Sequence, residues 1–215
     1  KLNNPLVCIC IPNYNNENTI SETLDSILNQ TYKNIKIKIF DNASTDNSLQ
    51  ILQNYESKHS NIEVFQNEVN IGGEANFTKC IENMEGEYSA IYHADDIYNA
   101  KMVEEQVKCL LRGNISAVFV HSEEIDNQKI YIKDRLFPFE NVSGNITLNF
   151  INLLKITLKY GNILTTPSCM SRTDIYMNII KKWNGEKFKT SADLDVWFRM
   201  SQIAPIEIIS KKLMQ

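Results

Sequence analysis

No stretch of this 215-residue chain is apolar for long enough to cross a bilayer. The longest apolar run, Leu6 to Ile11, is far shorter than the roughly 20 residues a span requires. The first residues also lack the basic and apolar parts of a secretory signal, so no transmembrane segment is expected. There is no excess of positive charge either. Lys and Arg number 22 against 26 Asp and Glu, a net charge of -4, which gives no electrostatic footprint for nucleic acid and argues against it as a partner. A disulfide framework is missing too. Cys8, Cys10, Cys80, Cys109 and Cys169 are odd in number and scattered through apolar stretches, as expected of reduced core residues in a cytoplasmic protein. Without internal repeats, low-complexity tracts or a long linker, one compact unit is expected. The chain begins at Lys1 and stops straight after an apolar stretch at Met214-Gln215; this is read as a fragment of a longer protein.

What is present is an alternation of strand-like and helix-period runs, the pattern of an α/β fold with a mostly parallel sheet flanked by helices. Leu6 to Ile11 reads as a strand buried on both faces and ended by Pro12. Thr19 to Glu22 reads as a capping box opening a helix through Ile20, Leu24, Ile27 and Leu28. Ile35 to Ile39 alternates strictly, which places Asp41 at the carboxyl end of a second strand. A helix from about Thr45, a strand at Ile62 to Phe65 and a helix with Phe77, Cys80, Ile81 and Met84 in one stripe follow. Next come a strand at Ser89 to Tyr92, a helix through Met102 to Leu111 and a strand at Ser116 to Val120. Beyond these the pattern predicts helices at Ile146 to Leu158, Thr173 to Trp183 and Asp193 to Ile203, then a strand at Ile206 to Ile209.

In an open α/β sheet, ligands bind outside the carboxyl ends of the strands. Three of those ends carry polar clusters: Pro12-Asn13-Tyr14-Asn15, Asp41-Asn42-Ala43-Ser44-Thr45-Asp46, and Asp95-Asp96. Each alone is ordinary turn chemistry; their coincidence on one sheet edge points to a site. Adjacent carboxylates after a buried strand repel each other unless a cation sits beside them. Mg²⁺ or Mn²⁺ uses one or two carboxylates and completes its shell with water and substrate phosphates, so Asp95 and Asp96 are read as metal ligands. His93, two residues before Asp95, could be a ligand as well, although a histidine at a strand end is more often structural. Asp193 opens a helix, where it could serve as a cap or as a base favoured by the helix dipole.

Taken together, these segments resemble the family 2 glycosyltransferases of the GT-A fold, over nearly the whole chain. Val7 to Asn15 resembles the opening strand and its turn, and Phe40 to Asp46 resembles the second-strand segment, usually Asp-Asp-Gly-Ser-Thr-Asp. Asn70-Ile71-Gly72 followed by Asn76 resembles a loop near the donor, and Asp95-Asp96 align with the acidic metal motif. Ala192 to Arg199 resembles the start of a helix that carries the catalytic base. Three departures stand out: His93 in place of the first Asp of the Asp-x-Asp motif, Ala43 in place of Gly, and Ala192 in place of Glu. The resemblance implies an inverting, non-processive transferase that moves a sugar from a nucleoside diphosphate sugar, with UDP favoured, to a glycan or lipid-linked glycan acceptor. It implies Asp193 as base, Asp95 and Asp96 on Mn²⁺ or Mg²⁺, and Pro12, Tyr14, Asn15, Asp41, Asn70, Gly72 and Asp95 around the donor. Along the chain, residues 1–98 read as a nucleotide-sugar lobe and 99–215 as a smaller acceptor lobe, in which Asn162 to Arg172, with Thr165, Thr166 and Ser168 around Pro167, is either an acceptor surface or only a tight turn. A bacterial surface-polysaccharide pathway fits such an enzyme, which would be cytoplasmic or peripheral on the cytoplasmic face of the membrane.

Two rival enzymes lack their signatures. A dinucleotide-dependent oxidoreductase needs Gly-x-Gly-x-x-Gly after the first strand, and a nucleotidyltransferase a glycine-rich, arginine-containing phosphate loop; the chain has Pro-Asn-Tyr-Asn there. The rival from another class is a non-catalytic nucleotide-sugar or glycan binding module, which the three departures would suit. Retention of Asp95, Asp96 and Asp193 argues against it.

Overall fold

The apolar run at the start of the chain becomes strand β1 (Val7–Asn13), in which Val7 to Ile11 are fully buried. In the computed structural model, which describes residues 4–126, 128–135 and 144–215, β1 lies between two parallel neighbours, β2 (Ile35–Asp41) and β4 (Tyr88–Ile91). Side-chain alternation sends Val7, Ile9 and Ile11 into one core and Cys8 and Cys10 into the other, which is why the run must be apolar throughout. Pro12 does not end the strand: it pairs with Phe40 of β2. The Val7 N–H faces the β2 side, donating to Asn34 O, so by alternation the Pro12 nitrogen faces β4. Pairing with β4 stops at Cys10, and no ladder bond is lost.

The parallel half is completed by β3 (Ile62–Gln66) outside β2. Beyond β4 the sheet becomes mixed, through β5 (Ala117–Ile125), β6 (Tyr131–Arg135), β7 (Ile146–Leu148), β8 (Met170–Arg172) and β9 (Ile206–Met214). The strand order is β3-β2-β1-β4-β8-β5-β9-β7, with β6 paired to β5. β9 runs parallel to β5, whereas β8 is antiparallel to both β4 and β5. Helices α1 (Ile20–Leu28), α2 (Ser48–Lys58) and α4 (Met102–Leu111) cover one face through Leu24, Leu52 and Val103. The other face is covered by α3 (Gly73–Glu82), α5 (Phe150–Tyr160), a one-turn π-helix at Ile175–Ile180 and α7 (Ala192–Ile203), with the short α6 (Gly185–Phe188) against α7. All five cysteines are buried and unpaired, and no helix among the described residues is long and apolar enough to cross a membrane.

Local expectations fail where a distant partner decides. Thr19 sits at the N-cap of α1, but its hydroxyl makes no cap bond; it donates to Ala94 O at 3.0 Å and so ties α1 to the loop after β4. Ile146 to Leu148, expected within a helix, pairs antiparallel with β9, and α5 begins only at Phe150, where Asn149 caps it. The helix expected at Thr173 to Trp183 is present over 173–180, mostly as the π-turn, and stops short of Trp183 where Lys181 takes φ 64°.

Trp197 on α7 anchors the second core. It is fully buried, edge-on to Phe119 of β5 at 5.0 Å and to Trp183 at 6.1 Å. Trp197→Ala is expected to cost about 3–5 kcal/mol of unfolding free energy, measured as a lower urea midpoint. The cavity it leaves is walled by the sheet itself, which cannot collapse into it.

Candidate active site

Because β1, β2 and β4 are parallel and adjacent, their carboxyl ends at Asn13, Asp41 and Ile91 open on one edge. The loops that follow are tied together by side chains. Asp41 is fully buried, and its carboxylate accepts from Asn13 Nδ2 at 2.8 Å, from Ser44 Oγ at 2.5 Å and from the Ser44 N–H at 3.0 Å. Asn15 Oδ1 accepts from the Thr45 N–H at 2.8 Å. Ala43, where relatives of the resembled family carry glycine, takes φ 58°, a left-handed conformation that costs a residue with a Cβ about 1–2 kcal/mol.

A chain of asparagines continues this wall; sequence reasoning named Asn42, Asn70 and Asn76 but missed Asn67 and the bonds that join the four. Asn42 Oδ1 accepts from Asn67 Nδ2 and from the Ile71 N–H, both at 2.9 Å, while its Nδ2 donates to Asn70 Oδ1 at 2.9 Å. Asn70 Oδ1 also accepts from the Gly72 N–H at 2.8 Å, and Gly72 at φ 86° turns the chain into α3. Asn76 on α3 donates to Phe40 O at 2.8 Å and accepts from Asn67. Pro12, Tyr14, Asn42, Asn76, His93 and Asp95 then line an open cleft of about 240 Å³. Asn42 faces this cleft, whereas Asp41 stands behind it as the residue that fixes the loop. No short-range signal marks Asn67, since asparagine is commonplace in loops.

The third loop carries the acidic pair. The His93 N–H donates to Tyr98 Oη at 2.9 Å, Tyr98 stacks on Tyr92 at 4.0 Å, and Thr23 Oγ1 donates to Asp96 O at 2.9 Å. Asp95 is exposed and Asp96 half-buried. His93, Asp95 and Asp96 each offer a ligand atom, and these atoms all lie within 4.8 Å of one another. Burial holds the His93 imidazole below its ordinary pKa, against the opposing pull of Asp95, so the ring is neutral and able to donate a lone pair. Its Nε2 is buried without a hydrogen-bond partner. Two carboxylates and an imidazole form a donor set that fits Mn²⁺, and Mg²⁺ through the carboxylates.

Across from this loop lies Asp193, in the first turn of α7. Its Oδ2 accepts from Asn162 Nδ2 at 2.5 Å and lies 3.5 Å from Thr166 Oγ1. It does not cap α7, whose N-cap is Ser191. Asp193, Asn162, Thr165, Thr166, His93 and Asp96 line a second cleft of about 350 Å³. His93 thus borders both clefts, and the acidic pair stands between the asparagine wall and Asp193. Sequence reasoning placed Asn162 and Thr166 in a region of interest without pairing them with Asp193, about thirty residues away.

Comparison with known proteins bears on this arrangement. The profile of glycosyl transferase family 2 matches residues 8–175. An uncharacterized glycosyltransferase of Rickettsia felis is 34% identical over 210 residues, covering 94% of this chain and 32% of that protein. The UDP-Glc:alpha-D-GlcNAc-diphosphoundecaprenol beta-1,3-glucosyltransferase WfgD of Escherichia coli is 34% identical over 126 residues, covering 58% of this chain and 49% of that protein. The chain therefore spans about a third to a half of these relatives. Among solved structures, residues 1–349 of S. aureus TarS in complex with UDP-GlcNAc superpose with a TM-score of 0.77 at 19% identity, covering 97% of this chain and 57% of that one.

Proposed function

The chain belongs to glycosyl transferase family 2, and from that premise we propose that it is the catalytic part of an inverting transferase that moves a sugar from a UDP-sugar to an acceptor hydroxyl. The observation that carries this reading is the shared border of the two clefts: His93, Asp95 and Asp96 lie between the asparagine-walled cleft and the one holding Asp193. A donor bound on one side and an acceptor on the other would meet there.

The donor lies against Pro12, Tyr14, Asn42 and Asn76, with Asn15, Asn70 and Gly72 shaping the loops around it. Asp41 acts through Asn13 and Ser44 to hold its loop. Asp95 and Asp96, with His93, would hold Mn²⁺ or Mg²⁺. Bound there, the ion supplies Lewis-acid stabilisation for the charge gathering on the leaving diphosphate. Asp193, oriented by Asn162 and Thr166, takes the proton of the acceptor hydroxyl. The hydroxyl oxygen bonds to the anomeric carbon as the bond to the diphosphate breaks on the opposite face, which inverts the centre. In this reading residues 1–98 serve the donor and residues 99–215 the acceptor.

UDP is favoured because the E. coli relative is named for UDP-Glc and the S. aureus structure holds UDP-GlcNAc. The former name, which includes a diphosphoundecaprenol-linked sugar, also supports a lipid-linked glycan acceptor; polysaccharide synthesis at the cytoplasmic face of the membrane is our extension of that acceptor class. Calorimetry of UDP, UDP-Glc, UDP-GlcNAc and GDP-Man with and without Mn²⁺ tests the assignment. UDP compounds are expected to bind at least tenfold more tightly than GDP-Man, and only with the ion. Equal or absent binding of all four would remove the donor assignment.

A further inference from the structure

Residues 150–191 hold seven of the chain's 22 Lys and Arg but two of its 26 Asp and Glu. A positive segment is thus set in a protein of net negative charge. Arg172 pairs with Asp174. The other six, Lys155, Lys159, Lys181, Lys182, Lys187 and Lys189, are exposed and join no ion pair among the described residues. Elsewhere lysines more often hold a carboxylate, as Lys36, Lys38, Lys108, Lys129, Lys133, Lys211 and Lys212 do, while Lys33, Lys58 and Lys101 are scattered single charges outside the segment.

The same segment exposes large apolar side chains. On α5, Leu153 points into the core and is fully buried, while Ile151 and Leu158 are 53% and 79% exposed. Ile151, Lys155, Leu158 and Lys159 stand at i, i+4, i+7 and i+8, which is one outward stripe of a helix. Met177 and Ile179 of the π-turn are exposed beside Lys181 and Lys182. Helix α5, the π-turn and α6 all pack against α7, so the basic and apolar residues belong to one layer of the molecule.

We infer that this layer docks on an anionic lipid bilayer, the aliphatic side chains entering the headgroup region and the lysines meeting lipid phosphates. Separate aliphatic side chains among unpaired lysines suit a fluid interface, which accepts them singly; a rigid protein partner would need a matching pocket for each. Every lysine brought to an anionic surface raises affinity about fivefold. Helix α5 ends two residues before Asn162, whose amide holds Asp193. Docking therefore brings the Asp193 cleft to the membrane, where a lipid-linked acceptor resides. The proposal rests on the transferase reading only for that acceptor.

The test is flotation of the 215-residue chain, without donor, on vesicles of phosphatidylcholine alone and with 30% phosphatidylglycerol, across a salt series. Binding is expected on the anionic vesicles alone and should weaken with salt. The double variants Lys155→Glu/Lys159→Glu and Ile151→Ser/Leu158→Ser should each lower it by at least about tenfold. Lys58→Glu, on α2 at the opposite face of the sheet, should leave it unchanged. Absence of binding, equal binding to neutral vesicles, or indifference to both double variants would overturn the proposal. So would a dimer in sedimentation, dissolved by Leu158→Ser and unaccompanied by vesicle binding, because that gives the face to a second copy. UDP calorimetry on the same samples separates the two readings: vesicle binding without nucleotide binding sinks the transferase alone.

Discussion

Asp193→Asn is expected to lower the rate of sugar transfer by about 10²–10⁴-fold, the range that a positioned general base contributes, while UDP binding stays within twofold of the native protein. The substitution keeps the shape of the side chain and an oxygen for Asn162 Nδ2 to donate to; it gives up the acceptor for the Leu194 N–H, a local cost of about 1 kcal/mol that leaves the fold in place. What it removes is the capacity to take a proton. UDP release with a panel of glycan acceptors, beside calorimetry of UDP, reads the two effects separately. Full turnover by Asp193→Asn would reduce Asp193 to a helix-terminal residue. A fall in UDP affinity equal to the fall in rate would place it in donor binding instead.

Asp193 is well suited to that experiment because two partners hold it from outside its own helix. Asn162 follows α5 and Thr166 opens the turn before β8, so the carboxylate is fixed between segments that pack on the same core. An N-cap would instead spend its oxygens on the backbone N–H groups of its own first turn. Asp193 gives Oδ1 to the adjacent Leu194 N–H and keeps Oδ2 in the cleft.

How far a sequence discloses such a site depends on the distance over which each residue is determined. The run Val7 to Ile11 could only be a central strand, since burial on both faces requires an apolar side chain at every position. From that strand follow the parallel half of the sheet and the convergence of Asp41 and Asp95 on one edge. Local chemistry is less informative once tertiary partners compete. Thr19 has the residues of a capping box around it, yet its hydroxyl is used on Ala94 O, 75 positions away. Ile146 to Leu148 has helical spacing but lies beside β9, whose unpaired edge offers a ladder that a helix start cannot match. The asparagine wall was legible only in part: Asn42, Asn70 and Asn76 stand in segments that resemble donor-side loops, but Asn67 joins them through bonds across two loops and helix α3 that nothing in its own neighbourhood marks.

The acidic pair gives the second large effect. Mn²⁺ at a hundred times its dissociation constant is expected to stabilise the native protein by about 2.7 kcal/mol, which for a domain of this size raises the melting temperature by about 5–10 °C. The double variant Asp95→Asn/Asp96→Asn should lose that increment and bind UDP no better with Mn²⁺ than without it. Neutral amides keep the hydrogen-bonding shape of the loop, which Thr23 and Tyr98 hold through backbone atoms, so the variant should fold. The increment arises because the folded loop holds the ligand atoms of His93, Asp95 and Asp96 within 4.8 Å of one another, a geometry that the same four-residue stretch adopts only transiently when unfolded. His93→Ala separates the contributions: it removes the neutral nitrogen and leaves both carboxylates. If the imidazole is a ligand, His93→Ala should weaken Mn²⁺ more than Mg²⁺, because nitrogen ligation favours the transition metal. Equal losses for both ions would make His93 a wall residue between the clefts, and an unchanged melting temperature with Mn²⁺ in the native protein would remove the metal from the site altogether.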